Sequence, residues 1–112
     1  MKKHPLFEVF SGNQSEVYFR LTSQQGETLL VSEAQPNSNA AYRVINQLSD
    51  PKFLENGLKR IQTPDKKFTF HIESQKQGVL GNGPVFSQET LCDTCIQEFL
   101  RDAVVAEIED YT

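Results

Sequence analysis

Cys92 and Cys95 are the only cysteines of the chain, and they lie in a C-x-x-C spacing within "ETLCDTCIQEF". That spacing suits a dithiol redox centre or one half of a zinc site, and nothing else in the 112 residues carries overt chemistry. A redox pair needs its first thiol exposed at the start of a helix, where the helix N-terminus lowers the thiol pKa. Ser87 is the better cap for this helix, running from Gln88 to about Arg101, which puts Cys92 past the first turn. Leu91, Cys92, Cys95, Ile96, Phe99 and Leu100 then form one apolar stripe that contains both thiols. A free cysteine in such a stripe packs as a small hydrophobe. The expectation is buried structural cysteine, with a thiol redox or metal-binding protein using 92–95 as the alternative function.

The other chemical constellations are weaker. Zinc would need two further ligands, and His4 and His71 are the only histidines. His71 alternates with Phe70 and Ile72, so it points away from the face on which the cysteines pack. No G-x-S-x-G elbow occurs, and "GNGP" (81–84) lacks the lysine, hydroxyl and strand–loop–helix setting of a phosphate loop, so it reads as a turn or bulge. The closing "EIEDYT" reads as a solvated terminus or an edge strand. No catalytic, cofactor-binding or metal residue is assigned, and no cofactor is expected.

The elements that carry these residues recur. Sliding the chain by 51 positions lays Phe19 on Phe70, Leu21 on Ile72, Ser23 on Ser74, Gln24 on Gln75 and Leu29 on Leu80. The same offset lays Ala41 on Cys92, Val44 on Cys95, Ile45 on Ile96 and Leu48 on Phe99. A constant offset that keeps hydrophobic phase over roughly 30 residues indicates two copies of one unit, about 5–56 and 57–112, within a single domain. Alanine and valine at the cysteine positions of the first copy support the structural reading of the thiols.

Within each copy the periodicity changes in the same order. "EVYFRLT" and "KFTFHIE" alternate apolar with polar residues, as half-buried strands of an antiparallel sheet do. First strands are expected at 6–10 and 58–62, and third strands near 28–33 and 79–85 after turns at Gly26 and Gly78. Asn37 or Ser38 caps a helix ending at about Leu48, and Asp50-Pro51 starts a short one ending near Gly57. "DAVVAEIEDYT" fits helix, strand or both in turn. The fold class is α+β: two tandem β-β-β-α repeats forming one antiparallel sheet, with helices packed on one face.

The face away from the helices should carry Tyr18, Arg20 and Thr22 from one copy and Thr69, His71 and Glu73 from the other. These six residues are the candidate interaction face, since antiparallel sheets commonly leave one side to solvent. A long exposed strand edge would also invite pairing with another chain.

Several runs together, "HPLFEVF", "YFRL", "LLVSE", "DKKFTFHI" and "EIEDYT", resemble the YegP-like family, a bacterial domain of unknown function. The resemblance implies paired β-β-β-α units in one sheet, C-terminal strands exchanged between units, and no catalytic residues. The chain departs from the family pattern in its helices, where "RVINQL" and "TCIQEF" keep only the isoleucines 45 and 96, and at "GVLGNGPVF" (78–86), where the Ser-Glu of 32–33 has no counterpart.

Composition limits the partners. A net charge of −4 disfavours nucleic acid and anionic membrane. No run approaches the roughly 18 apolar residues of a membrane span, and Glu8 and Ser11 interrupt any signal-like apolar run. The expectation is a small cytoplasmic, non-enzymatic association module, monomer or homodimer, that binds a protein or small-molecule partner through the open face or an edge strand.

Overall fold

In the computed structural model, which describes residues 4–112, the alternating runs become strands and the 3.6-period runs become helices. The order is β1 (Leu6–Ser11), β2 (Val17–Thr22), β3 (Thr28–Ser32), α1 (Ser38–Leu48), α2 (Pro51–Gly57), β4 (Leu58–Gln62), β5 (Phe68–Ser74), β6 (Gly78–Asn82), α3 (Glu89–Ala103) and β7 (Glu107–Asp110). All seven strands join one sheet in the order β4-β5-β6-β3-β2-β1-β7.

Alternation decides what the sheet buries. Phe7 and Val9 of β1, Phe19 and Leu21 of β2, and Phe70 and Ile72 of β5 share one core with Ala41, Val44, Ile45 and Leu48 of α1. From α3 the same core receives Cys92, Cys95, Ile96, Phe99 and Ala103. Phe7 meets Phe19 edge-on at 5.8 Å between ring centroids, and Phe70 meets Phe99 at 5.6 Å. Each such fully buried side chain contributes roughly 1.5–3 kcal/mol. Helices therefore cover one face of the sheet.

The pairings carry the offset seen in the residues. Phe7↔Leu21, Glu8↔Arg20, Val9↔Phe19, Phe10↔Tyr18 and Ser11↔Val17 join β1 to β2, and each reappears with both numbers raised by 51 in β4·β5. The turns agree as well: Ser15 and Lys66, again 51 apart, both adopt the left-handed conformation at φ 68° and 64°.

Several expectations are corrected or decided. The sheet is mixed rather than wholly antiparallel, because β7 runs parallel to β1. The C-terminal segment, whose residues alone fit helix, strand or both in turn, is helix and then strand, and its strand crosses back to the first half of the chain. "GNGP" is the end of β6 and its exit rather than a turn, with the register shifting beside Gly81 where Ile72 gives way to Glu73. A Cβ on Gly83 would fall 2.2 Å from the Phe70 ring, and one on Gly81 would lie 3.0 Å from the Val31 carbonyl. These glycines admit close packing.

Finally, the cap of α3 is Gln88, one residue after Ser87, and it makes no side-chain hydrogen bond to the helix. Leu91 and Leu100 are 49% and 39% exposed, so the buried stripe of α3 is narrower than its sequence suggests. The contrast with α1 is direct, since the Asn37 side chain accepts from the Ala40 N–H at 2.9 Å. At α2, Asp50 accepts from the Lys52 N–H at 3.0 Å, with Pro51 opening the helix.

The uncapped start of α3 generates a test. Gln88→Asp supplies the missing acceptor and a favourable charge at the helix N-terminus, so it should stabilise the fold by about 1 kcal/mol. Urea unfolding followed by circular dichroism measures the gain, and Asn37→Ala should show a loss of similar size.

Candidate functional site

The open face of the sheet is organised as a row. Register pairs link Lys59, His71, Asn82, Val31, Arg20, Glu8 and Glu109, one residue from each strand in spatial order, and paired residues share a side of the sheet. Its two halves correspond at the offset of 51, with Glu8 answering Lys59, Arg20 answering His71 and Val31 answering Asn82.

All six candidate residues lie on this face, but in two groups. Three strand spacings of about 4.8 Å put Arg20 and His71 roughly 14 Å apart, with Val31 and Asn82 between them. In the first group, Arg20 Nε donates to Glu8 Oε1 at 2.7 Å while its guanidinium lies 5.3 Å from the centre of the Phe10 ring. Phe10 stacks on Tyr18 at 5.8 Å, and the Thr22 hydroxyl donates to the Leu6 carbonyl at 3.4 Å. In the second group, His71 Nε2 stands 3.4 Å from Glu73 Oε2, and the Thr69 hydroxyl donates to the Gly83 carbonyl at 3.1 Å. Asn82 bridges the centre by donating to Glu33 at 2.5 Å.

Glu8, Phe10, Val31, Lys59, Ile61 and Asn82 were not among the expected face residues. Neither first strand, "LFEVF" nor "LKRIQ", alternates cleanly, so neither signals its face residues. The central pair Val31–Asn82 depends on how β3 meets β6, for which no sequence signal exists.

Two open grooves flank the face, again in corresponding places. One, of about 880 Å³, is lined by Leu6, Glu8 and Thr22 with the turn at 23–26. The other, of about 1160 Å³, is lined by Gly57, Lys59 and Glu73 with the turn at 74–77, and extends to Arg43 and Phe53. Arg43, Lys59 and Lys76 make the second groove predominantly basic, whereas Glu8, Arg20 and His4 mix signs in the first. His4 there meets Glu107 of β7 at 3.0 Å.

The cysteines lie on the opposite side of the sheet. Cys92 and Cys95 are free thiols, 3% and 7% exposed, and they occupy the core places that Ala41 and Val44 fill in the first half. Burial pushes the Cys92 thiol up, and it pushes Cys95 up to about 12, with the charge of Glu98 adding to the effect. Such thiols stay protonated and are poor nucleophiles and poor metal ligands. Among the described residues no group of three or more His, Cys, Asp or Glu is placed to hold a metal ion.

Asp102, in the last turn of α3, is a buried carboxylate whose Oδ1 accepts from Arg101 at 3.0 Å; its Oδ2 has no hydrogen-bond partner among the described residues. None of these groups assembles with a nucleophile and base in the manner of a catalytic set.

An α+β protein with a single seven-stranded sheet, helices on one face and a patterned polar face on the other is thus defined. Two solved structures share that architecture. The protein of unknown function YegP from E. coli superposes with a TM-score of 0.89 at 19% identity, covering 100% of this chain and 97% of its own. A UPF0339 protein from Shewanella oneidensis gives 0.87 at 18% identity, covering 95% of this chain and 90% of its own. The fold is the YegP fold, as the resemblance of the short runs implies. No family model and no curated protein matches the chain in sequence.

Two outcomes test the thiol geometry. A disulfide reagent near pH 8 should react slowly with native protein and fully after denaturation, and rapid native reaction of either thiol would restore the redox alternative. The pH dependence has a definite sign: the Cys95 thiol rises from 9.0 to about 12 on folding, so the unfolded chain releases its proton first. Stability from this group is full below the ordinary thiol range and is lost as pH rises towards the folded value. Cys95→Val, which copies Val44, should therefore flatten the fall of the urea midpoint above about pH 9 relative to the parent protein.

Proposed function

We propose that this protein is a small, cytoplasmic, non-enzymatic association module built of two tandem β-β-β-α units, which binds a partner through the open face of its sheet or the strand edge beside it. The observation that carries the reading is the seven-residue row across the open face. It places basic, imidazole, amide, aliphatic and carboxylate side chains at regular strand spacing, with helices confined to the other side. Such a surface has the polarity of a protein–protein contact and lacks the enclosed, convergent geometry of an enzyme pocket. Both grooves are open, and among the described residues no lining hydroxyl is hydrogen-bonded to a histidine or carboxylate as a nucleophile–base pair would be. The thiol redox alternative is disfavoured by the burial and raised pKa of both cysteines.

The face is tested by placing carboxylates at its two central basic residues, Arg20 and His71. Arg20→Glu with His71→Glu leaves the core untouched and should cost about 1 kcal/mol or less in stability, chiefly from new repulsion at Glu8 and Glu73. Partners captured by the parent protein at low salt should be lost by the variant, with circular dichroism confirming the fold. Unchanged partners together with an unchanged oligomeric mass would remove the face from the proposal.

A further inference from the structure

The corresponding strands β1 and β4 differ at their outer edges. The outer edge of β1 is covered by β7, whereas no strand among the described residues covers the outer edge of β4. We infer that the β4 edge is a docking strand for an acidic, extended segment of a partner polypeptide, which adds parallel to β4 as β7 adds to β1. This deepens the association reading above and rests on it.

The first argument is geometric. β1 and β4 hold the same register against β2 and β5, pair for pair, so their outer edges present equivalent backbone groups. On β1 those groups are engaged: the Glu107 N–H donates to the Pro5 carbonyl at 3.3 Å and the Tyr111 N–H to the Val9 carbonyl at 2.8 Å. Period-two alternation then directs the backbone of Phe7 towards β7 as well, and the offset gives Leu58 and Arg60 the same outward direction. The chain leaving α1 cannot fill this edge, because it passes through α2 directly into β4 itself. The Leu58 N–H is already bound to the Leu54 carbonyl, so an added ladder would begin at the Leu58 carbonyl and continue over both groups of Arg60.

The second argument is charge. On β1 the covering strand sets Ile108 beside Phe7, Glu109 beside Glu8 and Asp110 beside Val9. Glu8 on that edge is already paired with Arg20. On β4 the corresponding residues are Leu58, Lys59 and Arg60. Lys59 is exposed and has no ion-pair partner among the described residues, and it lines the basic groove with Arg43 and Lys76. Arg60 reaches Asp93 on α3 and presents the remainder of its guanidinium to solvent. Leu58 is half-buried, with an apolar edge for one aliphatic residue. A guest reading apolar–acidic–acidic, the Ile-Glu-Asp pattern of β7, therefore meets an apolar side chain and two basic ones in register on β4. Backbone hydrogen bonds supply affinity in such strand addition, and the alternate side chains supply selectivity.

The experiment uses the full chain, isotope-labelled, titrated with an acetylated peptide of sequence AEIEDYT that copies residues 106–112. Saturable shifts at residues 58–62, with slowed exchange of the Arg60 amide, are expected. Lys59→Glu should weaken binding about tenfold, as should replacing both glutamates of the peptide by lysine. Arg60→Pro, which removes the outward N–H, should abolish binding while circular dichroism confirms the fold. Shifts confined to β1 and β7, which report exchange of the resident strand, would overturn the inference. So would a β4-mediated dimer that the peptide fails to dissociate, or no binding at millimolar peptide. Shifts confined to Arg20 and His71 would overturn it while leaving the association reading intact.

Discussion

The fold depends on the joint between β3 and β6. Only two register pairs, Val31↔Asn82 and Ser32↔Gly81, connect the halves of the sheet there. The approach is close because Gly81 has no side chain: a Cβ would lie 3.0 Å from both Leu30 Cδ2 and the Val31 carbonyl. Further ties reinforce the joint, with the Glu33 N–H donating to the Leu80 carbonyl at 2.9 Å and the Asn82 amide donating to the Glu33 carboxylate. A three-stranded and a four-stranded sheet would each bury little apolar surface alone, and this seam lets them share one core. Leu30 and Leu80, beside the seam, are both buried in it.

The same joint sets what the open face can be. Because β3 and β6 meet at Val31 and Asn82, the polar residues of the outer strands fall into line, and Arg20 and His71 are held at a fixed separation. The exposed side chains then differ between halves although the backbone pairing does not. Glu8 with Arg20 is neutral within itself, while Lys59 with His71 leaves a cation uncompensated by its row neighbour. One backbone plan thus carries two surface chemistries, and the basic one lies at the β4 edge of the sheet.

Much of this was legible in the residues. Strict alternation in "EVYFRLT" and "KFTFHIE" marks β2 and β5, and Asn37 and Asp50-Pro51 announce their helices through hydrogen bonds that the structure contains. The burial of Cys92 and Cys95 followed from their coincidence with Ala41 and Val44. What the sequence left hidden is non-local. The parallel placement of β7 depends on a strand from the other half, and the role of Gly83 depends on the Phe70 ring beneath it. Leu91 and Leu100 lie at the margins of their stripe, where periodicity cannot say how far the neighbouring layer extends. Gln88 replaces Ser87 as cap because packing of α3 over β3 and β5, rather than the cap side chain, decides where the helix starts.

The parallel clasp of β7 on β1 also imposes an order on folding. Its partners lie on the order of a hundred residues apart, the longest loop closure in the sheet. On a chain made from the N-terminus, β1 can pair with β2 early, yet its outer edge stays bare until β7 has emerged about a hundred residues later. For that interval the hydrophobic strand β1 is itself an edge, and the arrival of β7 moves that edge outward to a short acidic strand. The clasp therefore acts as a temporal seal, protecting an early-made strand with a much later one.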